Sequence, residues 1–413
     1  MKRRILRALA AAALTLPIVA VTTPLSADAA TGGWPDAFEP SVLRTLNLQM
    51  TTQDWDFVRK DLTETYRSGW LSADGETPIN VAIRRKSSRA LPSESNPIKV
   101  GLKIDINEYV DGQTWHGLTK LSLENGADSG VVEEGVAWAM HRMAGAPLNG
   151  FAVAYANWVK VNVNGQYIGV YVNAEQRDKQ ALRQRGVWDG DSTWFYEQTT
   201  LGALLEEGDP HSPALGHLCY SPFRSKSEPK CKTPSDAVLG SDLPAWLDMD
   251  AFLTYCAVEA LVDNKDGLCS HNNNAFFVDV RADRMAAGER RVYMPWDLDT
   301  VFQHTTGNIY GGRSNTKKLM QSAYESVILG HPAFRAQYNA KVLELTAPSG
   351  SLSLSALQAF LDQSEATLSA ALAADPYAGS GTGSFGRLET WLPARYTNAR
   401  NQATANRNPA PRP

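Results

Sequence analysis

The chain has 413 residues and lacks the marks of several large functional classes. It carries four cysteines, Cys219, Cys231, Cys256 and Cys269, none in Cys-x-x-Cys spacing, which argues against a thiolate metal site. The net charge of −4 is too small for a general nucleic-acid or membrane-surface binder. No internal repeat is visible, and no apolar run beyond the first 29 residues is long enough to span a bilayer. The remaining composition, 43% hydrophobic and 20% charged, is that of a folded globular protein.

The start of the chain fixes an expected compartment. Lys2, Arg3, Arg4 and Arg7 precede an apolar stretch over 8–21, and Ala27-Asp28-Ala29 follows as a small-x-small site. That order predicts a secretory signal peptide over 1–29, cleaved after Ala29. The stretch is short and contains Pro17, which speaks against a membrane anchor. In an oxidising compartment the cysteines are expected to form two disulfides. Three pairings are open, and Cys219–Cys231 is preferred because the two flank the loop-like SPFRSKSEPK.

Hydrophobic periodicity predicts strands at 42–48, 79–85, 98–106 and 120–123. It predicts helices at 52–62 and from about 132 to 144, the second capped by Asp128 or Ser129. A hairpin is expected from 153–163 and 167–172, turning on Asn164-Gly165. Residues 201–240, rich in Gly, Pro, Ser and charge, read as a surface excursion. A helix at 251–262 and strands at 275–280 and 291–294 follow, and the chain is mainly helical from Lys317. The polar, Pro-rich RNPAPRP is expected to be disordered.

The clearest polar cluster runs from Asp263 to Asp299, as DNKDGLCSHNNNAFFVDV and then VYMPWDLD. Each of its Asp-Gly and Asn residues is singly explained as a turn former. In order, they place two carboxylate loops and an asparagine run at the ends of apolar elements. Those are the oxygen ligands a hard divalent cation takes. The order is similar to the catalytic half of a protein kinase, in which a loop Asp orients the acceptor hydroxyl and an Asn and a later Asp hold metal.

The chain resembles the CotH kinase family. The stretches that carry the resemblance are INVAIRRKSSR, PIKVGLKIDIN, GLTKLSLENGADSG, VKVNVNGQYIGVYVNAEQRDKQAL, LVDNKDGLCSHNNNAFFVDV, VYMPWDLDTVF and PAFRAQYNAKVLEL. NGQYIGVYVNAEQ and PWDLD are the most specific. The resemblance implies an α+β, divergent bilobal protein-kinase-like fold with a mixed-sheet N-lobe and a mainly helical C-lobe. An extension over 30–41 would precede the domain at 42–399, with the N-lobe over about 42–175 and the C-lobe over about 176–399. A disordered tail would occupy 400–413.

The resemblance also implies roles. Asp266 is the catalytic-loop Asp. Asp297 holds the metal, with Asp299 a second candidate and Asn273 or Asn274 an auxiliary ligand. Lys120 reaches the ATP phosphates and pairs with a helix glutamate, Glu134. Glu175 stands where the family has an acidic residue after its hairpin. ATP with Mg2+ or Mn2+, and a protein substrate in the envelope or extracellular space, are the implied cofactors and partners. The implied activity is transfer of the γ-phosphate to Ser or Thr.

Two departures stand against this. Lys86-Ser87-Ser88 lacks the glycine of the family loop, and no His-Arg-Asp precedes Asp266. A catalytically weak or inactive scaffold of the cell envelope is therefore the alternative. A glycosidase using Asp297 and Asp299 fits poorly, because paired catalytic carboxyls must flank the scissile bond from opposite sides.

Overall fold

The computed structural model describes residues 33–86, 98–126, 129–145, 150–188, 194–198, 240–241, 244, 247–271, 274–279, 291–310, 328–377 and 383–406. The expected signal peptide, Cys219 and Cys231, most of the 201–240 excursion, Asp128, Asn272, Asn273 and the final RNPAPRP lie outside them.

Seven strands form a closed barrel. They are β1 (Arg44–Gln49), β2 (Arg67–Ala73), β3 (Ile79–Arg85), β4 (Leu102–Asp105), β5 (Lys120–Glu124), β6 (Ala156–Val163) and β7 (Gln166–Ala174). Their order is β1-β2-β3-β4-β5-β7-β6. Every pairing is antiparallel except β1 with β6, whose parallel register from Arg44↔Val159 to Leu48↔Val163 closes the ring. The sheet expected from the sequence is thus mixed, and it is also closed. Each of these strands turns apolar residues into the ring: Leu46, Leu71, Ile83, Ile104, Leu121 and Val161 are all fully buried in one apolar cluster.

Helix α1 (Thr52–Lys60) leaves β1 and is capped by the Thr51 hydroxyl, which accepts the Asp54 N–H at 3.0 Å. Helix α2 (Val131–Ala144) sits between β5 and β6 and packs against β6 and β7. Gly135 permits this approach, since a Cβ there would lie 2.3 Å from the Trp158 ring. Helix α3 (Lys179–Gln184) follows the barrel.

A three-stranded antiparallel sheet, ordered β10-β9-β8, comprises β8 (Trp194–Gln198), β9 (Ala275–Asp279) and β10 (Arg291–Pro295). Around it lie α4 (Met249–Leu261), α5 (Leu268–His271), α6 (Pro332–Leu345), α7 (Leu354–Ala373) and α8 (Phe385–Ala405). Helix α4 is largely apolar and mostly buried, with Phe252, Leu253, Ala257, Val258 and Leu261 in the second large core. Trp158, Val170 and Val172 of the barrel belong to that same core, so β6 and β7 face it from the barrel side. A disulfide joins Cys256 of α4 to Cys269 of α5. It is compatible with the preferred Cys219–Cys231 pair.

Some elements differ from the sequence reading. Strand β2, strand β8 and helix α3 are not expected from the sequence, and neither is the short α5 within the polar cluster. The tail boundary at 400 falls inside α8, which continues to Ala405 because Ala399, Gln402 and Ala403 are buried. The 30–41 extension holds a short 3-10 turn, Asp36–Phe38, whose Phe38 stacks on Tyr155 at 6.0 Å.

Candidate functional site

Strand direction decides which barrel residues can meet. β3 and β5 run the same way, with β4 reversed between them. The ends of β3 and β5 therefore share one rim. Lys86, just past β3, donates its backbone N–H to the Gly101 carbonyl at 2.8 Å. Its ammonium pairs with the Glu124 carboxylate at the end of β5. The same nitrogen lies 4.0 Å from Asp297 Oδ1 and 5.0 Å above the Trp296 ring. Burial disfavours its charge, but Glu124 and then Asp297 outweigh that and hold its pKa above the usual lysine value.

Glu134, in the first turn of α2, is 1% exposed, and neither carboxylate oxygen has a hydrogen-bond partner among the described residues. Burial, then repulsion from Glu124 and Asp299, raises its pKa well above the carboxylate norm, with Lys86 opposing. An ionised carboxylate buried without a donor costs several kcal/mol. It is tolerated only protonated or answered by a cation. Its helix mate Glu133 is differently placed, accepting Arg387 Nε at 3.0 Å and Nη2 at 2.8 Å.

Lys103 sits on β4 directly opposite Arg84 of β3. No hydrogen bond or ion pair engages its ammonium among the described residues. Burial lowers its pKa, and the cations Arg84, Lys120 and Lys86 lower it further. It is the kind of lysine an incoming anion would relieve.

The loops of the helical part supply the facing groups. Asp266 opens the turn after α4, and its Oδ2 accepts the Asn274 amide at 3.0 Å. Asn274 immediately precedes β9, and its carbonyl accepts the Trp296 N–H at 3.1 Å. Because Ala275 pairs with Pro295, Asn274 and Asp297 leave neighbouring strand ends. Asp297 adopts φ 52°, a left-handed conformation that Asp tolerates better than most residues and that ends the strand sharply. Asp299 follows, accepting the Thr300 hydroxyl at 3.0 Å. Ser129 does not cap α2; Gly130 stands at its N-cap. The Ser129 hydroxyl instead donates to the Val301 carbonyl (3.1 Å) and accepts the Val301 N–H (2.9 Å), tying the start of α2 to the segment after PWDLD.

Of the residues named from sequence, the structure gathers Asp266 with Asn274, and Glu134 with Asp297 and Asp299. Asn273 lies outside the described residues. Lys120 is not brought to this cluster. It starts β5, at the opposite rim from Glu124, and its Nζ pairs with Asp105 at 2.6 Å. The lysine at Asp297 is Lys86. Glu175 takes a different part as well: it accepts Arg185 at 2.6 and 2.7 Å, the Trp34 indole at 3.2 Å and the Tyr155 N–H at 3.0 Å. It anchors the N-terminal segment and α3. Sequence reasoning missed Lys86, Glu124 and Lys103. Counting strand directions would have favoured the end of β3 over the start of β5.

Among the described residues, no three His, Cys, Asp or Glu side chains form a complete metal cage. A magnesium ion shared with phosphates needs less, since it keeps several waters and takes one or two carboxylates. Asp297 and Asp299 offer carboxylate oxygens, and the unpartnered, buried Glu134 nearby is a carboxyl that a cation would let ionise. This donor set fits a hard divalent cation.

The CotH kinase protein family model matches residues 81–213 and 227–405. Among solved structures, the Helicobacter pylori proinflammatory kinase CtkA is similar at 11% identity, covering 69% of this chain and 91% of its own, with a TM-score of 0.28. Comparison with curated proteins finds no match. The family match spans the barrel from β3 onward and the helical part through Ala405, and with it every residue of the cluster just described: the chain belongs to the CotH kinase protein family.

Proposed function

We propose that the chain is a secreted atypical kinase that transfers the γ-phosphate of ATP to Ser or Thr of envelope or extracellular proteins. The barrel and the helical part act as two lobes, with the nucleotide between them. The observation that carries this is the meeting of Lys86, from the barrel, with Asp297, from PWDLD, at 4.0 Å beside the unpartnered Glu134. A buried cation facing a carboxylate pair suits polyphosphate and its metal together.

Roles follow from position. Lys86 and Lys103 contact the phosphates, and Asp297, Asp299 and Asn274 hold magnesium or manganese. The bound metal supplies charge neutralisation at the phosphates. Asp266 orients the acceptor hydroxyl: its oxygen bonds to the γ-phosphorus, the bond to the β–γ bridging oxygen breaks, ADP leaves, and the hydroxyl proton passes to Asp266. Positioning and fixed charge supply most of the rate.

The test is incubation of the mature protein with γ-labelled or α-labelled ATP plus magnesium or manganese. Transfer of γ-label to Ser or Thr is expected. No transfer of either label would replace the kinase with a nucleotide-binding scaffold. Secretion is checked separately, by N-terminal sequencing of protein recovered from culture medium, which is expected to begin at Ala30.

A further inference from the structure

Glu259 lies in the last turn of α4, 1% exposed, and phosphotransfer as described makes no use of it. Its Oε1 accepts the Asn264 side-chain amide at 3.0 Å. Asn264, 2% exposed, uses its own Oδ1 to accept the backbone N–H of Asp266 at 3.1 Å. The backbone N–H of Asn264 closes the turn onto the Glu259 carbonyl at 2.9 Å. The second carboxylate oxygen, Oε2, has no hydrogen-bond donor among the described residues. It fills the space that Gly267 leaves bare: a Cβ there would stand 1.7 Å from Oε2 and 2.7 Å from Asn264 Nδ2. From α2, His141 brings Nε2 within 3.5 Å of Oε1.

A carboxylate buried with one amide donor and a neighbouring imidazole is a poor source of stability; a well-packed apolar side chain is often neutral or better. What the carboxylate supplies is direction. It fixes the Asn264 side chain, which fixes the Asp266 backbone, while Asn274 holds the Asp266 carboxylate from the other side.

We propose that Glu259 is a positioning residue for phosphotransfer, acting through Asn264 to set the Asp266 backbone. This rests on Asp266 being the group that orients the acceptor hydroxyl. A misplacement of about 1 Å at a reacting group costs on the order of 100-fold. Glu259→Leu is therefore expected to lower kcat about 30-fold while KM for ATP stays within about threefold. Asn264→Leu should do the same, and the double variant should be no worse than either single one, because both act through one chain of contacts. Glu259→Gln retains an oxygen for Asn264 and should keep kcat within about threefold of wild type. Independently of activity, amide hydrogen exchange over 264–267 should quicken about tenfold in Glu259→Leu and stay unchanged in Glu259→Gln.

A Glu259→Leu protein that keeps its kcat, or loses ATP affinity in step with kcat, overturns the proposal. Should that variant not fold, Asn264→Leu carries the same test with the same outcomes. If wild-type protein transfers no phosphoryl group, the kinase reading falls, and the exchange rates still decide whether Glu259 holds the loop.

Discussion

Around the barrel, at the site's rim and away from it, charges are answered by charges: Lys86 by Glu124, Lys120 by Asp105, Arg84 by Glu64. On the helical side, carboxylates are held mostly by amides and hydroxyls: Asp266 by Asn274, Asp299 by Thr300, and Asp263 by the His304 N–H at 2.8 Å, beside an ion pair with Lys265 at 3.5 Å. Ion pairs on a barrel wall can exchange partners when a phosphate arrives, since the wall itself is rigid and a long lysine re-aims at little cost. Loop carboxylates held by short side chains cannot re-aim without moving backbone. The barrel should therefore supply replaceable charge, and the loops irreplaceable geometry.

The largest test of that contrast is Asp297→Ala. Metal-dependent ATP binding should vanish by calorimetry and phosphotransfer should fall by about 1000-fold, the upper scale for losing a principal electrostatic contact. The metal-free melting temperature should stay level or rise, because Glu134 and Asp299 lose a repelling neighbour. Metal-dependent binding that persists would place the cation elsewhere. Next comes Asp266→Asn, with kcat down about 100-fold and ATP affinity within a few-fold. Wild-type kcat in that variant would move the acceptor-orienting role to another residue.

The barrel should give way more gently. Lys86→Met is expected to weaken ATP binding and rate together by roughly 10- to 100-fold, the value of one charge-assisted contact. Lys103→Gln should cost less, roughly fivefold in ATP affinity, since its ammonium acts without a fixed partner. Lys120→Ala should change both by less than about twofold, because its partner is Asp105 at the far rim. A Lys120 effect equal to that of Lys86 would erase the distinction between the two rims. Steady-state kinetics on the three lysine variants side by side makes the comparison.

Much of this architecture was legible because it is written in period-two alternation. KLSLE and VKVNVNGQYIGVYVNA announce β5 and the β6–β7 hairpin without ambiguity. Strand β2, RSGWLSA, hides because its exposed face carries Trp70 while its inner face holds small residues, Gly69 and Ala73 with Leu71. The apolar signal is inverted there, and Gly69 is bare because the Ile83 Cδ1 lies 2.7 Å from where a Cβ would sit. Helix α3 is six residues long, too short for a helical period to register. Strand β8 pairs with a partner 75 or more residues onward, a relation no local window contains.

For the site, the loops were readable and the barrel lysine was not. Asp266, Asn274 and Asp297 stand in an order that local motifs carry. Which lysine meets Asp297 depends on strand direction and register across three strands. Lys86 and Lys120 look alike in sequence and stand at opposite rims. Ser129 likewise reads as a helix cap, whereas tertiary contact with Val301 claims its hydroxyl. Glu175, for its part, is spoken for by Arg185 and Trp34, neither of which adjoins it in sequence.

The parallel pairing of β1 with β6 has a bearing on how the chain is made. The first strand of the ring cannot find its second partner until β6 exists, more than a hundred residues later. At ribosomal rates of about 5–20 residues per second, that is a wait on the order of ten seconds. Throughout it, β1 presents one row of backbone amides and carbonyls with no strand to meet them, the kind of edge that templates aggregation. A nascent chain stalled before β6 should therefore be a client for holding chaperones, and one that has released β7 should not.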